Sequence, residues 1–353
     1  MKTQNTVSKA ELKACFPSAA IWLWLSILAS LLAITGSIIA LSVNSIYAGL
    51  TPVFLPQALA QDVANLAVVS PMWLILAALA LRGSLRAYLL WLGVLTFTVY
   101  NYVIYTFSVP FGSLFLLWVA VFGMCIYSLI GGVTVIDHKT VESSFSSRCA
   151  ILVIAWVLII TAVLFGLLWL SEDVPALLSN TRPQSLIDMA LPTHPVHILD
   201  LGFFIPGVII TGILLIKRKP LAYTLAPSFM VFLILTGIPI LLTPVVQVVR
   251  GETAAWDVVV PIGTLTAVLL VLLIWLLSTI RPQRKLSNTA CTQSPAKYAG
   301  AMVVGGGAFY RHFSGFEFFL FPGRIHAHQQ VTHTVRRLNT KDNHDEITKG
   351  ENT

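Results

Sequence analysis

The chain has 353 residues, 56% of them apolar and only 10% charged, with a formal net charge of +7 and a mean hydropathy of +0.83. A soluble domain carries roughly 25% charged residues, so the composition excludes an ordinary soluble enzyme and points to a chain embedded in lipid. Its apolar runs reach about 20 residues, long enough to cross a hydrocarbon core of roughly 30 Å, and they are apolar on all sides, which excludes the alternating strands of a porin-like barrel.

In chain order, helices are predicted near residues 21–43, 62–81, 87–108, 110–134, 149–171, 197–216, 221–247 and 258–280. The expected fold is an all-α polytopic transmembrane bundle of about eight helices. The second and sixth helices are the weakest, each short and each containing a proline. The first run is longer than the 7–15 residues of a signal-peptide core. Ala58-Leu59-Ala60 resembles a cleavage site but lies well past that run, so an uncleaved first span is expected. After residue 281 the chain turns polar. Phe309, Phe313, Phe316 and Leu320 have helical spacing there, which suits a short amphipathic segment on a membrane surface. Arg311 and Glu317 argue against a ninth span. The tail 281–353 is expected to be mostly disordered and cytoplasmic.

Orientation follows from the basic residues, which short loops retain on the cytoplasmic side during insertion. Numbering the loops alternately, one set holds Lys2, Lys9, Lys13, Arg82, Arg86, Lys139, Arg148, Lys217, Arg218, Lys219, Arg281, Arg284 and Lys285, and the other only Arg182 and Arg250. Both termini are therefore expected in the cytoplasm. Asp62, Glu172, Asp173, Asp188, Glu252 and Asp257 fall on the opposite side. Basic loops facing anionic lipid account for the positive charge, and no nucleic-acid partner is expected. Cys15 and Cys291 are read as cytoplasmic, Cys149 as lying at an inner helix end and Cys125 as lying within a helix, so no disulfide is expected.

A repeat emerges when the segment from Asp62 is shifted by 135 positions onto the segment from His197. Pro71 then meets Pro206, Arg82 meets Lys217, and Ala87-Tyr88 meets Ala222-Tyr223. At a larger shift Val109-Pro110-Phe111-Gly112, read as opening helix four, matches Val260-Pro261-Ile262-Gly263 at helix eight. The expected organisation is a cytoplasmic segment 1–20, a four-helix half 21–134, a cytoplasmic loop 135–148 and a second half 149–280. Two such halves share one orientation and are related by an axis along the membrane normal. Coincidence among low-complexity apolar helices is the alternative.

Polar groups inside a membrane are costly and are functional candidates. Asp200 lies roughly 24 Å along its helix from the basic turn, and Asn101 roughly 22 Å from Arg86. The repeat sets Asp62 against His197 and Asn65 against Asp200. Asp62, Asn65, Asn101, His197 and Asp200 thus form a candidate polar ligand site near the outer third. The row His194, His197, Asp200 repeats at helical spacing and is a weak candidate for a metal or a proton relay. Its alternative is an aspartate bonded to a neighbouring helix beside interfacial histidines. An aromatic belt accounts for Tyr100, Tyr102 and Tyr105, with a ligand-stacking wall as the alternative. Pro71 and Pro206 are candidate kinks, because each removes a backbone hydrogen bond, and Pro227, Pro239 and Pro244 are expected to make helix seven irregular. Arg250, Glu252 and Asp257 read as a solvated loop. No phosphate-loop, HExxH or GxSxG pattern occurs, and no cofactor is expected.

The stretches Gln61-Asp62, Leu81-Arg82-Gly83-Ser84-Leu85-Arg86 and His194-Pro195-Val196-His197-Ile198-Leu199-Asp200-Leu201 resemble an uncharacterised prokaryotic family of multi-pass membrane proteins. The resemblance covers roughly residues 20–280. It implies a prokaryotic plasma membrane and supplies no activity or catalytic residue. Three functional readings follow: a small-solute carrier or ligand-binding membrane protein, a membrane-embedded enzyme using His197 and Asp200, and a non-catalytic sensor or scaffold. Beyond the lipid bilayer, a small molecule or ion is the expected partner.

Overall fold

A computed structural model describes residues 19–280, and the readings made on the N-terminal segment and on the tail lie outside them. Among the described residues eight helices are long and apolar enough to cross a membrane: α1 (Ala19–Ser42), α2 (Phe54–Leu81), α3 (Leu85–Ser108), α4 (Phe115–Val135), α5 (Arg148–Leu178), α6 (Pro195–Ile216), α7 (Pro220–Val249) and α8 (Trp256–Ser278). No strand occurs among them, only an isolated bridge between Phe145 and Ile280. The chain is a multi-pass all-α membrane protein.

Several boundaries move. Helix α2 begins at Phe54 rather than near 62, because its first turns carry glutamines and Asp62, which lower the hydropathy without weakening the helix. Helix α5 continues past the charged pair Glu172-Asp173 and through Pro175 to Leu178. Helix α4 starts at Phe115, so Val109-Pro110-Phe111-Gly112 precedes it as loop, whereas Pro261 lies in the first turn of the α-helical part of α8, Val259–Ser278. Three internal prolines predict an irregular α7. It runs unbroken from Pro220 to Val249 across Pro227, Pro239 and Pro244, because packed neighbours can hold a membrane helix through a proline.

The irregularity falls in α2 and α6 instead. Each contains a five-residue π-helical turn, Asn65–Val69 and Asp200–Phe204, with a proline two positions further on. Pro71 and Pro206 have no N–H, and their rings crowd the carbonyl four residues back. A widened turn directly upstream absorbs that conflict. Both helices also end alike. Ser84 N donates to the Leu79 carbonyl at 3.1 Å, and Lys219 N to the Leu214 carbonyl at 2.9 Å. The left-handed residue before each donor is Gly83 (φ 88) in one case and Arg218 (φ 53) in the other. This is the six-to-one bond of a glycine-type helix cap. Glycine adopts that φ without strain, while Arg218 does so at a small steric cost.

Helix α3 is the most buried span, with 78% of its apolar window inside the bundle. It packs along α7, and α1 packs on α4, α5 on α6 and α7 on α8. Helices α5 and α8 touch only sparingly, so they stand splayed where α1 and α4 are closed. The connections near 83, 136–147 and 218 gather at one end, where Arg86 Nη2 donates to the Ile280 carbonyl at 2.7 Å. That end carries Arg82, Lys139, Arg148, Lys217 and Lys219 and is termed the basic end. At the opposite, acidic end Phe54, Leu186 and Leu191 form a small apolar cluster between two connections.

Candidate functional site

Helical spacing builds two facing stripes. On α5, Trp169, Glu172 and Asp173 share one face, and on α6, His197, Asp200 and Phe204 share another. Helix α6 packs along α5, so the stripes meet. His197 Nδ1 lies 3.0 and 3.1 Å from the two Asp173 oxygens, and its Nε2 lies 4.0 Å from Glu172. Glu172 in turn accepts from the Ser185 hydroxyl at 2.5 Å. Trp169 Nε1 donates to Asp200 at 2.8 Å, and Tyr100 lines the same cavity as Asp200. The rings of His194 and His197 stack at 3.8 Å, and Trp169 stacks on His197 at 4.5 Å. Burial, with His197 next, pushes the pKa of His194 down to about 4, against the opposing pull of Glu172 and Asp173.

These groups line a cavity of about 670 Å³ that reaches from the acidic end toward the middle of the bundle. Its walls come from α2, α3, α5, α6, α7, α8 and the short helix Gln184–Met189, and they are mostly apolar and aromatic. The cavity occupies the space that the splayed α5 and α8 leave between them. Asn101, His197 and Asp200 line it. The amide nitrogen of Asn101 is buried and has no partner among the described residues.

Asp62 and Asn65 do not reach the cavity. The Asp62 carboxylate sits behind its wall and accepts from Ser37 Oγ at 2.8 Å, Tyr47 at 2.5 Å and Tyr105 at 3.1 Å. Asn65 accepts from Gln61 Nε2 at 3.1 Å. Tyr105 and Gln61 both line the cavity, so these two polar groups brace its wall. The five expected polar residues therefore divide into a lining set and a supporting set.

Further expectations change. Tyr100, Tyr102 and Tyr105 are buried, not an interfacial belt, because α3 is the centre of the bundle and turns its aromatic face inward. His194, His197 and Asp200 do not converge as ligands, since the imidazoles stack and Asp200 turns to Trp169. No group of three or more metal-ligating side chains is found among the described residues. The enzyme reading paired His197 with Asp200, whereas the structure gives His197 to Asp173. Sequence reasoning placed Glu172 and Asp173 among the acids of one side and missed their role. The signal was present, because Trp169, Glu172 and Asp173 follow helical spacing once α5 is extended beyond residue 171.

No protein-family profile, curated protein or solved structure significantly matches this chain, so no family is assigned.

Proposed function

We propose that this membrane protein binds a small amphipathic molecule in the cavity between α5, α6, α7 and α8 and acts as a small-solute carrier. In this reading the basic end and both termini face the cytoplasm of a prokaryotic cell, and the acidic end opens outward. The observation that carries it is a cavity of about 670 Å³ with apolar walls and one polar cluster at Trp169, Glu172, His197 and Asp200. Ligand pockets are typically concave, mostly apolar spaces of a few hundred Å³ with a few convergent polar groups.

Two similarly oriented halves fit a carrier. Their π turns stand 135 residues apart, at Asn65 and Asp200, and the left-handed residues Gly83 and Arg218 stand at the same offset. This is the shift at which the sequence halves align. Local π turns often mark functional points in a helix, and a turn beside a proline gives α6 a place to flex next to the cavity.

The test is a thermal-shift screen of purified protein against small amphipathic molecules. Ile240→Trp serves as control, because Ile240 lines the cavity and indole fills it. A compound that stabilises the wild type and not the filled variant supports the site. A wild type that responds no differently from the filled variant to every compound returns the protein to the sensor or scaffold reading.

A further inference from the structure

Resting on the reading of the cavity as a ligand site, we propose that its ligand is a lipophilic organic cation, an amine or quaternary ammonium joined to an apolar body. The acidic and imidazole lining side chains are Glu172, His194, His197 and Asp200, and no Lys or Arg is among the lining residues. Asp173 stands directly behind His197. His194 is held neutral near pH 7, its pKa lying at about 4. Three carboxyl groups thus stand beside two imidazoles, of which His194 stays neutral, so acidic groups outnumber basic ones in the cluster.

Asp200 carries the inference furthest. Its hydrogen-bond partner is the indole N–H of Trp169, an uncharged donor. The indole holds the carboxyl group in place and brings no counter-charge. A carboxylate inside a bilayer without a cation is costly, and an ammonium on the ligand would supply the missing counter-charge. Aromatic rings complete the setting. Tyr100, Phe204 and Phe232 form a cluster with ring centroids 4.6–5.2 Å apart, and all three line the cavity with Trp169. A cation over such ring faces is attracted by the ring quadrupole, and a phosphate or carboxylate gains nothing from them.

A second feature points independently to a ligand. Asn101 is 4% exposed, lines the same cavity, and its amide nitrogen has no partner among the described residues. A buried donor left without an acceptor is destabilising, and an ether, ester or hydroxyl oxygen on the ligand would satisfy it. The gap between α5 and α8, walled by Phe165, Leu168, Ile262 and Leu265, suits entry of an apolar body from the lipid side.

The experiment compares three probes with one apolar body: 4-phenylbutyltrimethylammonium, 4-phenylbutanol and 4-phenylbutanesulfonate. Affinities are measured by calorimetry on the full chain in nanodiscs of zwitterionic lipid. The ammonium is expected to bind at least tenfold more tightly than the alcohol, with the sulfonate weakest. Asp200→Asn is expected to abolish that preference while leaving the alcohol unchanged. Phe232→Leu keeps an apolar wall and does not touch the carboxylate. It should weaken the ammonium about two- to fivefold and spare the alcohol, which keeps the proposal testable if Asp200→Asn fails to fold. Equal affinity for ammonium and alcohol, or a preference that survives both substitutions, overturns the cation while the cavity stands. Binding of none of the three, with Ile240→Trp indistinguishable from the wild type in the compound screen, overturns the cavity reading as well.

Discussion

Asp62 illustrates what a single carboxylate needs in order to sit inside an apolar bundle. It is 3% exposed, and three hydroxyls from Ser37, Tyr47 and Tyr105 take the place of water. Burial and the neighbouring carboxylate push the Tyr47 pKa well above its usual value, so Tyr47 keeps its proton to donate. Asp62→Asn replaces one accepting oxygen with a donor and leaves a hydroxyl without an acceptor. A loss of about 1–3 kcal/mol is expected, read as a lowered unfolding midpoint of the purified protein. His194 yields a pH prediction. Its pKa is lowered from 6.5 to about 4 on folding, so between these values the unfolded chain binds more protons than the folded one. The stability it contributes is complete above about pH 6.5 and is lost as pH falls toward 4. His194→Gln should therefore flatten the decline of the thermal midpoint across that window. An unchanged slope would show that other groups set it. The sequence marked Asp62 and His194 as unusual by position alone. Tyr47, which bonds to Asp62, and Trp169, which stacks near His194, come from other segments, at separations that no helical period connects.

At the scale of the helix, packing depends on where side chains are missing. A Cβ at Gly93 would lie 2.5 Å from Val231 Cβ and 2.8 Å from the Ser228 carbonyl. The seam between α3 and α7 closes over that glycine, and backbone cannot swing aside as a flexible side chain can. Membrane helices associate through such close approaches. Gly93→Ala is expected to destabilise by about 1–3 kcal/mol through overpacking. Gly123 in α4 has nothing within 4 Å of its Cβ position. Gly123→Ala should stabilise by about 0.5–1 kcal/mol, because alanine lowers the entropy lost on helix formation. Thermal midpoints of the two variants check both signs, and equal effects would refute the seam. Both glycines look alike in sequence, because the difference is what stands opposite each. Pro71 and Pro206 were legible as disturbances, but proline identity alone does not say whether a helix bends, widens or runs on. Helix α7 runs on through three internal prolines, while α2 and α6 widen upstream of one each.

For the whole molecule, the oriented topology has a direct test. Cys149 is exposed at the basic end and Cys125 is buried. In a Cys15→Ser, Cys291→Ser background Cys149 is the accessible thiol among the described residues. An impermeant maleimide should label it in inverted vesicles and not in intact cells, and labelling of intact cells would reverse the proposed orientation. The helix count, the segregation of basic residues and the register of the 135-residue offset are written along the chain. Each arises from local quantities: the transfer of one segment into lipid, the charge of one loop, the residues of one turn. Convergence is a different matter. Whether α5 and α8 close like α1 and α4 or stand apart depends on how each helix rotates about its axis and on which small residues meet across a seam. That rotation brings Asn101, His197 and Asp200 to one cavity while Asp62 and Asn65 brace its wall, and it turns three tyrosines inward that hydropathy alone assigns to the interface. The spans can therefore be read from sequence because lipid selects them one at a time, whereas the cavity belongs to the packed bundle, where six helices must agree on a single arrangement.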